Sequence, residues 1–304
     1  MSRIYLDNHA STEIDPRVAD AMAEAGFGNP HSDHAVGWEA AAKIAAARDS
    51  VATLIGANQD EIIFTSGATE ANNLAILGMR KKASEGRTKI IRSAIEHKSV
   101  IAACDYLYTE WGFDITVLPV SNEGMIDLNA LEVALDDRTA LCTVGFVNNE
   151  IGTIQNIQSI GRLCRDAGVS LHTDAVQAPL AADLADLALW CDLISLSSHK
   201  MHGPMGVGAL FIAGNLQHAI APIMFGGSIE ADELIALLQP QLAASSGSAC
   251  TAGTIEPSYV LTALGLPTDQ VRSAVRFGFA RKMDPTQIQE AALLVSEAAE
   301  RCAP

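Results

Sequence analysis

The feature that most constrains the fold is an alternation of short apolar runs with helix-patterned segments, sustained to about residue 212. The runs are Ile62–Thr65, Lys89–Ile95, Thr116–Val120, Thr143–Val147, Gly168–Asp174, Leu189–Ile194 and Ala209–Ile212, with a shorter one at Ile4–Leu6. Runs this short and this apolar suit buried strands. Strands that alternate with helices pack as a mostly parallel sheet with helices on its faces. Trp38–Ile55 has a helical pattern and stops at Gly56-Ala-Asn. Further helices are expected from Pro16 at a first turn, beneath Leu74, Leu77 and Met79, and from Pro285 to about Arg301. After Gly226-Gly227 the pattern changes: a helix over Glu230–Leu238 is broken at Gln239-Pro240 and followed by a small-residue loop, Ala243–Gly253. The expected organisation is α/β, with a large domain at residues 16–227 and a smaller one formed by 1–15 and 228–304.

With 304 residues, 49% of them hydrophobic, the chain can bury a large core. Its 36 acidic residues exceed its 20 basic ones, which argues against nucleic acid as a direct partner, since phosphate contacts need clustered Lys and Arg. The six Cys show no C-x-x-C spacing, and most lie in apolar context. Reduced thiols in a cytoplasmic setting are expected, rather than a disulfide framework or a zinc site. His31 and His34 share a turn-rich loop, but no Cys or carboxylate cluster completes a metal site, so none is expected. The N-terminus lacks a signal-peptide apolar core, and no run is long enough to span a membrane.

Chemistry-bearing residues gather where the runs end. Lys200 follows the Leu189–Ile194 run and precedes a loop with three Gly and one Pro. A lysine there either bends back to water or is desolvated, and a desolvated amine can attack a carbonyl carbon as a Schiff-base lysine. Asp174 ends another run. A pyridoxal phosphate (PLP) ring needs such a carboxylate beside its nitrogen, a lysine for its aldehyde and an anion site for its phosphate. Ser66-Gly-Ala-Thr69, between a strand and a helix, could supply the anion site, although Thr69 would serve equally as an ordinary N-cap. His97 leaves a strand, as either a structural histidine or one stacked on a cofactor ring. Cys250, in a Gly/Ser-rich loop, is either a nucleophilic thiol or an incidental surface one. Arg276, in apolar context, suits a bidentate grip on a carboxylate.

Together these segments make the chain similar to the cysteine desulfurases, PLP-dependent enzymes of fold type I that are related to the class V aminotransferases. The resemblance runs almost end to end. It rests on Tyr5-Leu-Asp-Asn-His-Ala-Ser-Thr, Gly28-Asn-Pro-His-Ser, Phe64-Thr-Ser-Gly-Ala-Thr-Glu-Ala-Asn-Asn-Leu-Ala, Glu96-His-Lys, Val147-Asn-Asn-Glu-Ile-Gly, His172-Thr-Asp-Ala-Val-Gln, Ser197-Ser-His-Lys with Gly203-Pro, and Ser245-Ser-Gly-Ser-Ala-Cys-Thr. The resemblance implies that Lys200 holds PLP and moves the substrate α-proton, and that Asp174 pairs with the ring nitrogen. It implies that Gln177 bonds the phenolic oxygen, that His97 stacks on the ring, and that Ala68, Thr69, Ser197 and His199 hold the phosphate. Asn149 and Arg276 would place the substrate carboxylate. Cys250 would take sulfur from L-cysteine as a persulfide, releasing alanine. The implied partners are a second copy of the chain and a sulfur acceptor, such as an iron–sulfur scaffold or a thiolation carrier.

The chain is shorter than the family. Phe225-Gly-Gly-Ser228 runs almost directly into a helix that resembles one just before the cysteine loop. The family's Arg-Ser-Gly-Thr motif, whose Thr reaches the partner subunit's phosphate, occurs nowhere. Two other readings therefore stand beside a compact desulfurase. One is another PLP lyase on the same scaffold, acting on selenocysteine or cleaving the C–S bond of cysteine. The other is a non-catalytic partner of a full-length homologue.

Overall fold

A computed structural model describes residues 4–32, 34–224 and 284–302, together with shorter stretches at 228–229, 245–246, 251–252, 262–265, 267, 271 and 275–276. The chain divides into two compact units, Met1–Ala23 with Ala47–Met224, and Glu24–Ala46 with Phe225–Pro304.

The first unit is built on a seven-stranded sheet. In chain order its strands are β1 (Ile62–Thr65), β2 (Lys89–Ser93), β3 (Asp114–Leu118), β4 (Thr139–Thr143), β5 (Ser170–Asp174), β6 (Leu193–Ser197) and β7 (Gly208–Ile212). Their spatial order is β1-β7-β6-β5-β4-β2-β3. The pairs from β3 to β6 are parallel, and β7 runs antiparallel to both neighbours. The expected mostly parallel sheet is present. The reversal at β7 follows from the short loop after β6, because a parallel return needs a crossover of a dozen or more residues.

The helices up to residue 166 are α1 (Pro16–Ala23), α2 (Ala35–Ile55), α3 (Ala68–Gly78), α4 (Lys98–Trp111), α5 (Leu128–Ala134) and α6 (Ile157–Asp166). Two hydrophobic cores lie on opposite faces of the strands. Ile91, Cys142, Leu171, Ile194 and Phe211 share one core with Ile55 of α2 and Ile160 of α6. Their strand neighbours Ile90, Leu141, Leu193 and Leu210 share the other with Ile76 of α3 and Leu107 of α4. Successive strand residues point to opposite faces. Burial at every position of β4, β6 and β7 is therefore what a sheet covered on both sides produces.

Several runs are trimmed or displaced from their expected bounds. Ile4 and Leu6 are exposed and form no strand. The third run begins earlier than expected, at Asp114. The Thr143–Val147 run supplies only its first residue to β4. Beyond Thr143 the Gly145 amide turns to the Glu96 carboxylate, at 3.0 and 3.1 Å, and the pairing with β2 ends, while Val144 N and Phe146 N still donate to the His172 and Asp174 carbonyls. The first residue of the sixth run, Leu189, ends a 3-10 turn that begins at Leu187, and β6 begins only at Leu193.

In the second unit, β8 (Ser228–Ile229) pairs parallel with β10 (Thr251–Ala252), and β9 (Ser245–Ser246) pairs antiparallel with β11 (Val275–Arg276). The last helix, α7 (Pro285–Cys302), occupies the expected segment. The helix expected over Glu230–Leu238 lies outside the described residues.

Candidate active site

Parallel strands bring their carboxyl ends to one edge of the sheet, and open α/β sheets bind ligands there. That edge carries a cavity of about 470 Å³, within the range that holds small cofactors. Every strand from β1 to β6 except the edge strand β3 feeds it. The Ser66–Thr69 turn follows β1, Glu96 and His97 follow β2, and Asn149 lies in the loop beyond β4. Asp174 ends β5, and Gln177 comes just after it. Ser197, His199 and Lys200 close β6 and the turn beyond it. Nine of the expected site residues thus share one cavity: Ala68, Thr69, His97, Asn149, Asp174, Gln177, Ser197, His199 and Lys200. Cys250 lies outside the described residues, and only the backbone of Arg276 is described. Arg276 pairs with Ser245 and Thr251 with Ser228, so described pairings stand on both sides of Cys250 in the sequence.

Asp174 is a carboxylate held for a partner. Burial pushes its proton affinity above the ordinary carboxylate value. Asn72 Nδ2 (2.7 Å to Oδ2) and the Val176 amide (3.1 Å to Oδ1) oppose that shift by bonding the charged form, and the charges of the nearby His97 and Lys200 oppose it through space. Asn72 also donates to Ser99 Oγ at 2.9 Å, and Ser99 Oγ lies 2.8 Å from His97 Nδ1. A chain of bonds therefore runs from Asp174 through Asn72 and Ser99 to His97. His97 caps α4 by accepting the Ser99 amide at Nδ1.

Lys200 sits in a 3-10 turn, Ser198–Lys200, three residues past the end of β6 rather than on the strand itself. It is half-buried, and desolvation lowers its proton affinity, with Asp174 and Asp7 pulling the other way. Its Nζ donates to the carbonyl oxygen of His9, and Gln177 Nε2 reaches the same oxygen at 2.9 Å. The N-terminal segment is tied to this turn, since Thr12 N and Oγ1 both donate to the His199 carbonyl, at 2.9 and 3.0 Å.

Thr69 is not the N-cap of α3. That position belongs to Gly67, at φ 149°, which supplies no side-chain cap. A Cβ at Gly67 would meet nothing within 4 Å, whereas one at Gly208 would meet Gly67 Cα at 2.7 Å. Glycine at Gly208 thus lets β7 close against the turn, while the start of α3 stays open for an anion.

Sequence reasoning missed two groups in this floor. Asn72 is fully buried, and its Oδ1 has no hydrogen-bond partner. Glu96 is buried, and burial pushes its carboxyl up to about 7. A polar residue on an apolar helix face was the only signal for Asn72. Four of the six cysteines (Cys104, Cys142, Cys164 and Cys191) are buried and unbridged, and burial pushes the Cys104 thiol up to about 12. Such thiols are inert. Among the described residues no cluster could hold a metal ion.

His172 is buried in the sheet between Thr143 Oγ1 (2.8 Å) and Ser195 Oγ (3.0 Å), and burial lowers its proton affinity from 6.5 to about 3. The unfolded chain therefore binds the extra proton between those values, and stability is lost as pH falls through that range. Glu96, raised from 4.5 to about 7, acts with the opposite sign and loses stability as pH rises through that window. Urea unfolding from pH 7 down to pH 3 should therefore show a weaker acid-side loss in His172→Asn than in wild type. Equal slopes would contradict the neutral buried imidazole.

The site fits PLP on its own features: a half-buried carboxylate with donors on its flanks, a half-buried lysine beside it, and a helix start with no side-chain cap. The class-V aminotransferase family matches residues 4–236. A probable mitochondrial cysteine desulfurase of Dictyostelium discoideum is 36% identical, over 91% of this chain and 79% of its own length. Cysteine desulfurase IscS of Rickettsia rickettsii (strain Iowa) is 36% identical over 370 aligned positions, 96% of this chain and 90% of its own. That alignment is longer than the 304 residues present, so the relative carries residues this chain lacks. Among solved structures, a NifS-like protein matches with a TM-score of 0.70 and 36% identity over 74% of this chain, which spans 62% of that structure. "SspA in complex with cysteine" matches with a TM-score of 0.68 and 32% identity, over 95% of this chain and 77% of its own. A site built for pyridoxal phosphate on this sheet, and relatives of this identity along most of the chain, place the protein in the class-V aminotransferase family, among the PLP-dependent cysteine desulfurases.

Proposed function

We propose that the chain converts L-cysteine to L-alanine, with Cys250 receiving the sulfur as a persulfide for delivery to an acceptor. The observation that carries this reading is the convergence of Lys200, Asp174, His97 and the α3 N-terminus on one cavity. When bound, PLP supplies the electron sink of its protonated ring. The chain's residues do the rest. Asp174 holds the ring nitrogen's proton, Gln177 bonds the phenolic oxygen, and His97 covers a ring face. The α3 amides at Ala68 and Thr69, with Ser197 and His199, hold the phosphate. Lys200 carries the cofactor at rest and moves the substrate α-proton once freed. Asn149 and Arg276 hold the substrate carboxylate. The Cys250 thiolate attacks the substrate sulfur, the C–S electron pair passes to carbon, and a proton completes alanine.

The iron–sulfur scaffold or thiolation carrier as acceptor, the homodimer and the cytoplasmic setting belong to the same proposal. They rest on the family resemblance of the sequence motifs; the relatives' names carry the desulfurase activity, and one of those relatives is mitochondrial. Among the described residues no helix is long and apolar enough to cross a membrane.

Purified, PLP-loaded chain given L-cysteine and a thiol reductant should release alanine over many turnovers. Cys250→Ala should lower that rate by about 100-fold or more. Full activity in this variant would remove Cys250 from the reaction. Pyruvate as product would mark a C–S lyase. A chain that takes up PLP only with a full-length homologue would mark a partner subunit.

A further inference from the structure

Asn72 and Ser99 are buried and do not line the cavity, but each bonds a residue that does, and the reaction described above gives neither a task. Asn72 Nδ2 carries two hydrogens, and both are used: one meets Asp174 Oδ2 at 2.7 Å and the other Ser99 Oγ at 2.9 Å. Ser99 Oγ lies 2.8 Å from His97 Nδ1. Turned over, the amide would set its oxygen against the Asp174 carboxylate, and two acceptors repel. The orientation present leaves Asn72 Oδ1 buried without a partner. Such an orphan costs stability, on a helix whose other buried residues are Ala71, Ala75, Ile76 and Gly78. The favourable contacts of the amide are therefore at its nitrogen, toward Asp174 and Ser99.

We propose that Asn72, braced by Ser99, is a positioning residue that works through Asp174: it fixes the plane of that carboxylate and ties it to the His97 ring, so that the two groups that meet PLP are set as one unit. This rests on the reading that the cavity binds PLP. The geometry carries it. Asp174 is bonded on both oxygens, by Asn72 on Oδ2 and by the Val176 amide at 3.1 Å on Oδ1. Bonds on opposite oxygens fix the plane of a carboxylate, and a single bond leaves it free to turn. The Val176 donor is backbone, so the only side chain that sets this plane is Asn72. The bond also favours the charged form of Asp174. Asn72 moves no proton and touches no reacting atom. Its contribution is orientation supplied before the cofactor arrives.

The test is visible-region circular dichroism of the PLP-loaded chain, read per mole of bound PLP. An achiral cofactor gains ellipticity there only where the protein holds its ring in one orientation. Asn72→Ala should lower that ellipticity, with the far-ultraviolet spectrum unchanged. Single-turnover alanine formation should fall about tenfold or more, the worth of a hydrogen bond to a charged group. In the Asp174→Asn background the same substitution should add less than about a twofold loss, because a residue that works through Asp174 has no charge left there to position. Undiminished ellipticity in Asn72→Ala would overturn the proposal. So would an equal loss in both backgrounds, which is the result a merely structural role gives. If Asn72→Ala does not fold, Ser99→Ala decides alone: it unbraces the amide and should lower the ellipticity in the same direction, and no change would overturn the proposal. Loaded wild type with no visible absorbance defeats the cofactor reading and this proposal with it. A normal wild-type spectrum that neither variant alters defeats this proposal only.

Discussion

Replacing Lys200 by alanine should lower alanine release from L-cysteine by about 10⁴-fold or more, because one side chain both carries the cofactor and moves the substrate proton. The structure supports both tasks. The amine is half-buried and desolvation lowers its proton affinity, so it gives up its proton to become a nucleophile more readily than a surface lysine. Its Nζ is already directed to the cavity side of the 198–200 turn, bonded to the His9 carbonyl. Lys200→Arg should fail as badly, since guanidinium keeps the charge and cannot form the covalent link. The measurement has two parts. One is turnover. The other is the mass of the chain after borohydride reduction and denaturation, which should rise by the cofactor in wild type and not in Lys200→Ala. A covalent cofactor on the variant would mean that a different lysine does this work.

Asp174→Asn should cost about 10³-fold in turnover while PLP still binds, because it removes a charge and keeps the shape. The argument is electrostatic. A carboxylate drawn largely out of water is costly unless its charged form is bonded and faces a cation. Asn72 and the Val176 amide meet the first need, and a protonated ring nitrogen meets the second. An amide cannot stabilise that nitrogen's proton, so the ring loses its strength as an electron sink. The loss should therefore appear in kcat, measured by single-turnover alanine formation, with cofactor affinity changed much less. Near-normal turnover in Asp174→Asn would show that the ring nitrogen is not protonated through this residue.

The legible parts of the site share a cause. Lys200, Asp174 and His97 each stand just beyond an apolar run, and a charged or polar side chain in that place is visible from the local sequence alone. Ser66–Thr69 was visible as a strand-to-helix turn, although only the backbone showed that Gly67, not Thr69, begins α3. Asn72 and Glu96 were not legible. Asn72 reaches Asp174 across 102 residues of sequence, and Glu96 reaches Gly145 across 49. On a helix and in a loop these residues look like any other polar positions. What makes them part of the site is burial beside a distant strand.

The sequence by itself determined a two-sided, mostly parallel sheet, since runs with apolar residues at successive positions can be buried only between two layers of helices. It also determined which chemical groups stand at the strand ends, because a polar residue that stops an apolar run is a local property of the chain. Only the tertiary structure decided the reversal of β7, the chain of bonds from Asp174 to His97, and the burial of Glu96 next to Asp174. Each of these depends on which strand lies beside which. That order is set by long-range packing and by the length of a crossover, which no local pattern encodes.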